Sequence, residues 1–266
     1  PRGSYTSEPG LWECSLCPAG TTSDVGSNNC TECGPGSYTP QAGSPKSTPC
    51  HAGTYAPNTS HTSCQPCEAG SASMEGAVTC NLCKKGSYQP IPGTAECQKA
   101  PVGTYVDVVG STTVEYCPAG TFSLTNGNPH SSSCQPCAAG YYSSNIGATQ
   151  CEPCSSGFFT SSKGSQVCTP CSAGYYSQPG ASSCSACPVG TCSTGMEVKN
   201  ERQSCQACPA GTYGNTTAST TCTPCEAGTY SIESASSCLP CPMGTYSPVS
   251  WAYCLACLPG SYSDEK

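Results

Sequence analysis

A chain of 266 residues would ordinarily form one or two globular domains, but 28 cysteines, 29 glycines and 25 prolines exclude an ordinary apolar core. Only 9% of the residues are charged and the net charge is -7, so nothing suggests nucleic acid as a partner. No apolar run approaches the roughly 20 residues that span a bilayer, and no membrane contact is expected within this segment.

Glycine recurs at a fixed period from the start of the chain to its end. Sixteen copies, called module glycines below, are 16 or 17 residues apart at thirteen of the fifteen steps and 20 or 21 apart at the other two. Such self-similarity predicts one continuous array of sixteen cysteine-rich modules over residues 1–266, the first and last incomplete, that forms an elongated rod. The module glycines are Gly3, Gly20, Gly36, Gly53, Gly70, Gly86, Gly103, Gly120, Gly140, Gly157, Gly174, Gly190, Gly211, Gly228, Gly244 and Gly260.

Each module has the pattern of a short hairpin. A Tyr or Phe stands two residues after the module glycine in thirteen of the sixteen copies, and a second glycine follows six or seven residues on in ten. The sequence Gln178-Pro179-Gly180 suits a type II turn, because its glycine can adopt the positive φ that the turn requires. The fold class is therefore predicted to be small, disulfide-rich and mainly β, with tandem hairpins of about 16–17 residues and little or no helix.

The cysteines also predict the compartment. A unit of about 17 residues cannot build a core of its own, so disulfides and stacking on neighbours must supply its stability. So many cysteines stay bridged only in an oxidising environment, which predicts an extracellular or cell-surface protein that passes through the secretory pathway. Neighbouring modules meet at CxxC pairs, which we call junctions.

Two damaged junctions indicate how the cysteines pair. Residues 97–100 (CQKA) lack the second cysteine, and residues 114–117 (VEYC) lack the first. If each bridge joins the second cysteine of one junction to the first of the next, Ala100 and Val114 are the two ends of a single deleted disulfide. Pairing within each CxxC would instead strand both Cys97 and Cys117, so we favour the cross-module scheme.

This scheme predicts twelve disulfides, each of which staples the base of one hairpin and contributes about 3 kcal/mol through loop closure. Together these staples would dominate the stability of a chain with so few apolar side chains. The predicted pairs are Cys17 with Cys30, Cys50 with Cys64, Cys67 with Cys80, Cys83 with Cys97, Cys117 with Cys134, Cys137 with Cys151, Cys154 with Cys168, Cys171 with Cys184, Cys187 with Cys205, Cys208 with Cys222, Cys225 with Cys238, and Cys241 with Cys254.

Four cysteines fall outside the scheme. Cys14 and Cys257 are expected to pair with partners outside this segment, upstream and downstream, in a longer parent chain that has a cysteine immediately before the first residue. Cys33 faces a serine where its partner should stand, and Cys192 occupies an aromatic position. At about 10 Å per stacked module, these two could not meet within one straight rod. An interchain bridge is one hypothesis for them and local rearrangement is the other.

Three modules depart from the common pattern. The module at residues 101–116 lacks its disulfide. The modules at 121–136 and 191–207 have longer loops, and insertions in a repeat array map to surface loops where partners bind. Residues 195–202 concentrate four charges beside Cys192 and are the predicted place for a specific contact. In the first of these modules we interpret five valines as an apolar substitute for the staple, with a local hinge as the alternative; they are Val102, Val106, Val108, Val109 and Val114.

Runs such as CPAGTF at 117–122, CPAGTY at 208–213, CEAGTYS at 225–231 and CPMGTYS at 241–247 carry a family likeness. Each is followed by a CxxC and resembles the ephrin-receptor-like or growth-factor-receptor-like cysteine-rich repeat. The module is also similar to the single-bridge half-module of tumour-necrosis-factor receptor repeats. The resemblance implies a large extracellular structural protein, of the kind that forms stalks, coats and flagellar appendages in protists and algae.

The motifs that could carry chemistry have simpler structural explanations. Successive CxxC pairs approach a zinc-ribbon spacing, but the damaged junctions would leave such a site with only two ligands. A redox CxxC needs a βαβ context and a single exposed pair, whereas this one is repeated along the chain. His51, His61 and His130 lie beside a cysteine or in turn regions, without the partners of a triad. We predict no catalytic residue, no cofactor and no metal.

The aromatic series is interpreted as structural. One ring per module would stack along the array, cover each disulfide and supply most of the apolar burial. An exposed aromatic ladder that binds glycan or peptide is the alternative, and the doubled aromatics at 141–142, 158–159 and 175–176 are its best candidates. The same cluster could serve as a lateral assembly surface.

Three sequons predict glycosylation. Asn58 and Asn215 lie at predicted hairpin tips, where a glycan would project into water, and Asn29 abuts a bridged cysteine, which makes it the poorer candidate. The overall prediction is a non-catalytic extracellular structural segment whose partners are copies of itself, other extracellular structural proteins or glycans. A receptor-type ectodomain that binds a protein or glycan ligand is the alternative.

Overall fold

The computed structural model describes residues 1–10, 12–193, 204–258 and 260. It divides into two compact units, the first made of Pro1–Cys117 with Ser123–Gln135 and the second of Pro118–Phe122 with Pro136–Lys266. Both units consist of two-residue strands joined by turns, and the helical content of the described residues is one 3₁₀ turn at Ser131–Ser133. Tandem small β-hairpins with almost no helix were the predicted fold class, and the structure confirms it. No helix in the described part of the chain is both long and apolar enough to cross a bilayer.

The first unit contains seven two-stranded antiparallel hairpins, in which each odd-numbered strand pairs with the next even-numbered one. The strands are β1 (Ser4–Tyr5), β2 (Ser15–Leu16), β3 (Thr21–Thr22), β4 (Thr31–Glu32), β5 (Ser37–Tyr38), β6 (Thr48–Pro49), β7 (Thr54–Tyr55), β8 (Gln65–Pro66), β9 (Ser71–Ala72), β10 (Asn81–Leu82), β11 (Ser87–Tyr88), β12 (Gln98–Lys99), β13 (Thr104–Tyr105) and β14 (Glu115–Tyr116).

Strands β15 (Thr121–Phe122) and β16 (Gln135–Pro136) follow along the chain. The second unit contains seven further hairpins built in the same way. Its strands are β17 (Tyr141–Tyr142), β18 (Glu152–Pro153), β19 (Phe158–Phe159), β20 (Thr169–Pro170), β21 (Tyr175–Tyr176), β22 (Ser185–Ala186), β23 (Thr191–Cys192), β24 (Gln206–Ala207), β25 (Thr212–Tyr213), β26 (Thr223–Pro224), β27 (Thr229–Tyr230), β28 (Leu239–Pro240), β29 (Thr245–Tyr246) and β30 (Leu255–Ala256).

The strands occupy the same sequence positions in every module. The first strand is the pair of residues after the module glycine, and the second is the pair between the two cysteines of the next junction. Thus Thr21 lies opposite Glu32 and Thr22 opposite Thr31. Because an isolated two-residue ladder is too short to be stable in water, each hairpin depends on its neighbours and, in twelve of the fifteen described hairpins, on its own disulfide.

Three backbone hydrogen bonds tie each module to the next. The Gly20 N–H donates to the Thr39 carbonyl at 3.0 Å, and the Cys33 N–H donates to the Gly20 carbonyl at 3.0 Å. The N–H of Ser60, in the turn of the module after Cys33, donates to the Cys33 carbonyl at 3.0 Å. Equivalent bonds recur in both units, so the backbone groups that the short strands leave unpaired find partners in adjacent modules.

The module glycine is required by two separate constraints. Gly20 has φ +87°, in the left-handed region that favours glycine. A β-carbon placed on it would lie only 2.4 Å from the carbonyl oxygen of Ser60, two modules further along. The same approach recurs at Gly53, where the oxygen of Gly93 would lie 2.1 Å from a β-carbon. Modules therefore interlock with the second neighbour as well as the first, which the sequence pattern did not reveal.

The turn position also has a positive φ, whether or not it holds glycine. Where the second glycine is missing, the turn residue is Ser60, Ala218, Ser234 or Ser250, with φ between 59° and 64°. An L-residue in this conformation costs roughly 1–2 kcal/mol relative to its ordinary backbone. The geometry of the turn is therefore imposed by the array and not only by the local sequence.

The hydroxyl residue that follows most module glycines closes a local turn. The Thr21 side chain donates to the Pro18 carbonyl at 2.8 Å, and the Thr212 side chain donates to the Pro209 carbonyl at 2.7 Å. The recurring Gly-Thr and Gly-Ser pairs are thus explained by a side-chain bond to the backbone three residues earlier. The same carbonyl also accepts the backbone N–H of the threonine, at 3.1 Å for Thr21 and 3.0 Å for Thr212, so the side chain adds a second bond.

Cysteine forms most of the interior. Among the residues that the structure describes, thirteen of the seventeen buried apolar ones are cysteines, and the other four are Ala56, Ala72, Ala100 and Val106. The residue three positions after the module glycine is also buried and is usually Ser or Thr, as at Ser23 and Thr39. Val106 holds this ordinary position in its module.

The interpretation of the five valines as a substitute for the missing disulfide is wrong for most of them. Val102, Val108 and Val109 are exposed, at 39%, 59% and 51%, and only Val106 is buried. The buried side chains in and beside this module include Ala100, Thr104 and Val106, and the three exposed valines lie outside that set. The space that the missing sulfurs would occupy is bordered instead by Ala100, which is fully buried.

We predict that the two glycines of one module differ sharply in their tolerance of alanine. Gly20→Ala should destabilise the surrounding hairpins by about 2–5 kcal/mol, because steric overlap adds to backbone strain. Gly26→Ala, at φ +77° with no atom within 4 Å of the added carbon, should cost only about 1–2 kcal/mol of strain. Hydrogen exchange at the Thr39 and Ser60 amides measures the difference, and equal effects would contradict the interlock.

We also predict that the missing staple can be restored. Ala100→Cys combined with Val114→Cys should form a thirteenth disulfide and slow exchange within residues 101–116, by about 2–4 kcal/mol of local stability. Intact-mass measurement after alkylation reports the bridge, since the double variant should gain no alkylatable thiol. Ala100→Cys alone is the control and should gain one. A double variant that gains two thiols would show that the two positions do not meet.

Candidate functional site

The dominant chemical feature is a ladder of twelve disulfides. The structure brings together the twelve cysteine pairs named above, each joining the second cysteine of one junction to the first of the next. Their Cα–Cα distances lie between 5.5 and 5.9 Å, within the usual range for disulfides. The second cysteine of a junction is the more buried partner, as Cys17 is fully buried and Cys30 only half-buried.

Four cysteines lie outside this ladder, and their surroundings differ. Cys14 is exposed and Cys257 is half-buried. Cys33 is buried, with its Sγ 3.5 Å from the His61 carbonyl oxygen and 3.7 Å from that of Ser37. A thiol held in this way reaches another chain only after local opening, so burial weighs against the interchain hypothesis for Cys33.

Cys192 lies beside another module's disulfide. Its Sγ is 3.0 Å from the Sγ of Cys222, which is bridged to Cys208. Within the described ranges, these three cysteines are the one group whose ligand atoms all lie within 4.8 Å of one another. Because Cys208 and Cys222 are bonded to each other, the group holds one thiol and one disulfide, which is a setting for sulfur exchange.

The aromatic residues do not form the stack that the sequence suggested. The rings two positions after the module glycines are half-buried in most modules, and Tyr246 is 46% exposed. The ring pair observed in the described residues is Trp251 with Tyr253, whose centroids are 5.4 Å apart. The expectation that stacked rings supply most of the apolar burial is therefore wrong, because the sulfurs occupy the interior and the rings lie at its edge.

The rings do lie close to the disulfides of the following module. In the second unit Tyr142 and Cys168 line the same cleft of about 220 Å³, together with Phe158 and Val167. Cys192 and Cys222 hold the equivalent positions three modules later. The aromatic position therefore faces a disulfide, and a cysteine placed there meets a sulfur.

Three consecutive modules carry an additional ring. Tyr141, Phe158 and Tyr175 occupy the position that is Thr or Ser in most other modules. They keep the local backbone bond, as from the Tyr141 N–H to the Ala138 carbonyl at 3.0 Å, but have no side-chain hydroxyl at that place to donate a second. Tyr141 and Tyr175 remain 41% and 38% exposed. These three side chains, which we call the aromatic strip, are the most distinctive surface of the second unit.

Two tyrosines are paired with glutamates across a hairpin. Tyr105 lies opposite Glu115. The Glu115 carboxylate accepts a hydrogen bond from the Tyr105 hydroxyl and raises the pKa of that phenol above its ordinary value, and partial burial and the charges of Glu115 and Asp107 add to the effect. Tyr142 repeats the arrangement by donating to Glu152 Oε2 at 3.3 Å. Both hydroxyls act as cross-strand hydrogen-bond donors.

The remaining predicted sites are scattered. His51 and His130 are exposed, and His61 accepts a hydrogen bond from the Asn58 backbone N–H at 3.4 Å. The sequon residues Asn29, Asn58 and Asn215 are exposed, so all three amides are accessible to glycosylation. The predicted contact loop at residues 195–202 lies outside the described residues.

The clefts in the two units are small and formed by hairpin surfaces. One of about 350 Å³ in the first unit is lined by Met74 and Leu82, which are 67% and 62% exposed. Another of about 310 Å³ in the second unit is lined by residues 143–150 and Glu152. The second of these clefts is lined mostly by polar residues.

Comparison with known families agrees with this architecture. Residues 70–117 and 120–167 match the sequence model of the family described as tyrosine-protein kinase ephrin type A/B receptor-like. These two segments are tandem ephrin-receptor-like repeats, and each contains three module glycines. The resemblance seen in the sequence is thus confirmed. A search of curated proteins finds no match to the chain.

The two matched segments and the disulfide ladder indicate the class of domain. Ephrin-receptor-like repeats are disulfide-rich modules without catalytic machinery of their own, and they belong to extracellular receptor-like or structural domains. Twelve disulfides agree with an extracellular or cell-surface location, because such a ladder would be reduced in the cytosol.

The ladder predicts how the chain responds to tension. Each bridge closes a loop of 13 to 18 residues, so the chain between two bridged cysteines cannot be extended while the disulfide is intact. Single-molecule force measurements should show roughly 40 Å of additional extension for each bridge that is reduced. Cys154→Ser with Cys168→Ser should release one such step without reductant. Equal extension of the oxidised and reduced chains would contradict the ladder.

Proposed function

We propose that the chain is a non-catalytic structural segment of an extracellular or cell-surface protein, and that it acts as a stalk, coat or filament subunit such as those of flagellar or surface appendages. Its partners in this proposal are further copies of itself, other extracellular structural proteins, and glycans. The observation that carries the proposal is the interlock of successive modules. Backbone hydrogen bonds and close glycine contacts connect successive modules in both units.

Three lines of evidence support a mechanical role. Cysteines and mostly small residues fill the interior of the modules. Repeated hydrogen bonds and glycine contacts connect a module to the next two in the chain. Force that acts along such an array passes through covalent bridges and many short backbone bonds in parallel.

The aromatic strip is the best candidate for the lateral contact of such an assembly. Tyr141, Phe158 and Tyr175 recur at one position in three consecutive modules, so they present a periodic apolar surface. Each replaces a side-chain hydrogen bond to the backbone that would contribute about 1 kcal/mol. A surface that gives up local stability in three successive repeats is expected to be useful for binding.

A receptor-type ectodomain is the second candidate function, and the same strip favours it. Half-exposed aromatic rings supply large contact areas at little conformational cost and are common in binding surfaces for proteins and sugars. In that case the strip would bind a soluble protein or glycan, and single chains would remain unassembled.

We predict that the triple variant Tyr141→Thr, Phe158→Thr and Tyr175→Thr stays folded but loses assembly. Threonine is the residue that other modules use at this position, so it restores the local hydrogen bond while it removes the ring. Electron images and sedimentation of the unsubstituted chain should show ordered lateral contacts that grow with concentration, and the variant should show single chains. The variant Thr54→Ser, Thr212→Ser and Thr229→Ser is the matched control and should assemble normally.

Other outcomes of this experiment discriminate between the candidate functions. Single chains at every concentration, together with glycan or protein binding that the triple variant loses, would replace the structural proposal by the receptor one. Assembly that the triple variant retains would keep the structural role but remove the strip from it.

A further inference from the structure

We propose that Cys192, Cys208 and Cys222 form a thiol–disulfide exchange site, in which the thiolate of Cys192 displaces Cys208 from Cys222. The site lies wholly in the second unit and is independent of the structural role proposed above. It explains why one module has a cysteine where thirteen of the sixteen have an aromatic ring.

Strand β23 fixes the position of the attacking sulfur. Cys192 pairs with Gln206 across the hairpin. Its Sγ lies 3.0 Å from the Cys222 Sγ, and the three sulfurs all lie within 4.8 Å of one another. Exchange needs a thiolate beside one sulfur of a disulfide, with the other sulfur as the leaving group. This arrangement brings Cys192 to Cys222 and makes Cys208 the leaving group.

A second position that departs from the repeat lies beside the same three sulfurs. The position three residues after a module glycine holds Ser, Thr, Ala, Gln or Val in the other modules, but here it is Gly214. A β-carbon on Gly214 would lie 3.4 Å from the Cys208 Sγ, so any longer side chain would crowd that sulfur. The absence of a side chain leaves room for the Cys208 sulfur to move away from Cys222.

The backbone around the leaving group is held on both sides. The Cys208 N–H donates to the Gly190 carbonyl at 2.9 Å, and its own carbonyl accepts from the Ser234 N–H at 2.8 Å. Gly190 belongs to the module of Cys192. The hydrogen bond from the Cys208 N–H to the Gly190 carbonyl therefore holds Cys208 close to that module. The sulfurs can therefore change partners by side-chain rotation while the backbone stays in place.

The exchange is balanced without any external reagent. The Cys192 thiol loses its proton, the Cys192–Cys222 bond forms as the Cys208–Cys222 bond breaks, and Cys208 leaves as a thiolate that takes up a proton. The number of disulfides is unchanged, so no oxidant or reductant is consumed. The process is an isomerisation between two bridged forms of the same chain.

The two forms differ in which thiol can be reached. Before exchange the thiol is on Cys192, which is half-buried, and afterwards it is on Cys208, which is fully buried. The bridge also changes its span, from 14 residues within one module to 30 residues between two modules. Exchange therefore moves the thiol to a fully buried residue and links two modules covalently.

A pair of matched variants tests whether Cys192 can capture Cys222. Cys208→Ser and Cys225→Ser each remove the buried cysteine of one module's disulfide, in neighbouring modules. In Cys208→Ser, Cys192 should bridge to Cys222, so the chain should carry one alkylatable thiol fewer than the unsubstituted protein. In Cys225→Ser no thiol stands beside Cys238, and the count should rise by one. Counting uses N-ethylmaleimide on the acid-denatured chain, followed by intact-mass measurement.

The opposite change in thiol count would contradict the proposal. If Cys208→Ser also gains one thiol, Cys192 does not capture Cys222 and the proposal is overturned. Adding Cys192→Ser to Cys208→Ser should leave Cys222 alkylatable, which assigns the captured thiol to Cys192.

Exchange in the native chain is measured directly by locating the thiol. The folded protein is equilibrated near pH 8, quenched in acid, denatured and labelled, and Cys192 and Cys208 are then mapped by peptide mass spectrometry. Label divided between the two residues supports exchange. Label on Cys192 with none on Cys208 after equilibration would refute it, whatever the variants show.

Discussion

The closure of a loop of about fourteen residues by one disulfide is the constraint on which twelve of the fifteen described hairpins depend. A segment of this length cannot exclude enough water to fold alone, and its two-residue strands supply only a few backbone bonds. The bridge reduces the freedom of the unfolded segment, and contacts with two following modules provide the rest. Stability is therefore shared along the array, as in other repeat proteins, but with coupling that extends beyond the nearest neighbour.

The backbone plan of the modules could be predicted from the sequence because each element leaves a periodic mark. The glycine, the CxxC junction and the hydroxyl residue recur at fixed spacing, and the damaged junctions at Ala100 and Val114 indicated the pairing. The contact between Gly20 and the Ser60 carbonyl could not be predicted in this way. It depends on the rotation between successive modules, which no residue pattern encodes.

Side-chain burial was harder to predict than the backbone, and the errors have one cause. The valines around Val106 and the aromatic series were expected inside because they are apolar, yet the interior is narrow and sulfur fills it. In an array of such thin modules, hydrophobicity does not decide which side chain is buried. Position relative to the module glycine decides it, which is why Ser23 and Thr39 are buried while Val108 is exposed. Cys192 follows the same rule, since its position alone directed it to a neighbouring disulfide.

The strained turns of the second unit should make local unfolding directional along that part of the array. Ala218, Ser234 and Ser250 belong to three consecutive modules in which an ordinary residue is held at positive φ. Each module there carries roughly 1–2 kcal/mol that glycine would relieve. Local opening should begin among these modules and spread toward the glycine-rich ones before them. Fraying of this protein would then start preferentially at the turns that hold alanine or serine instead of glycine.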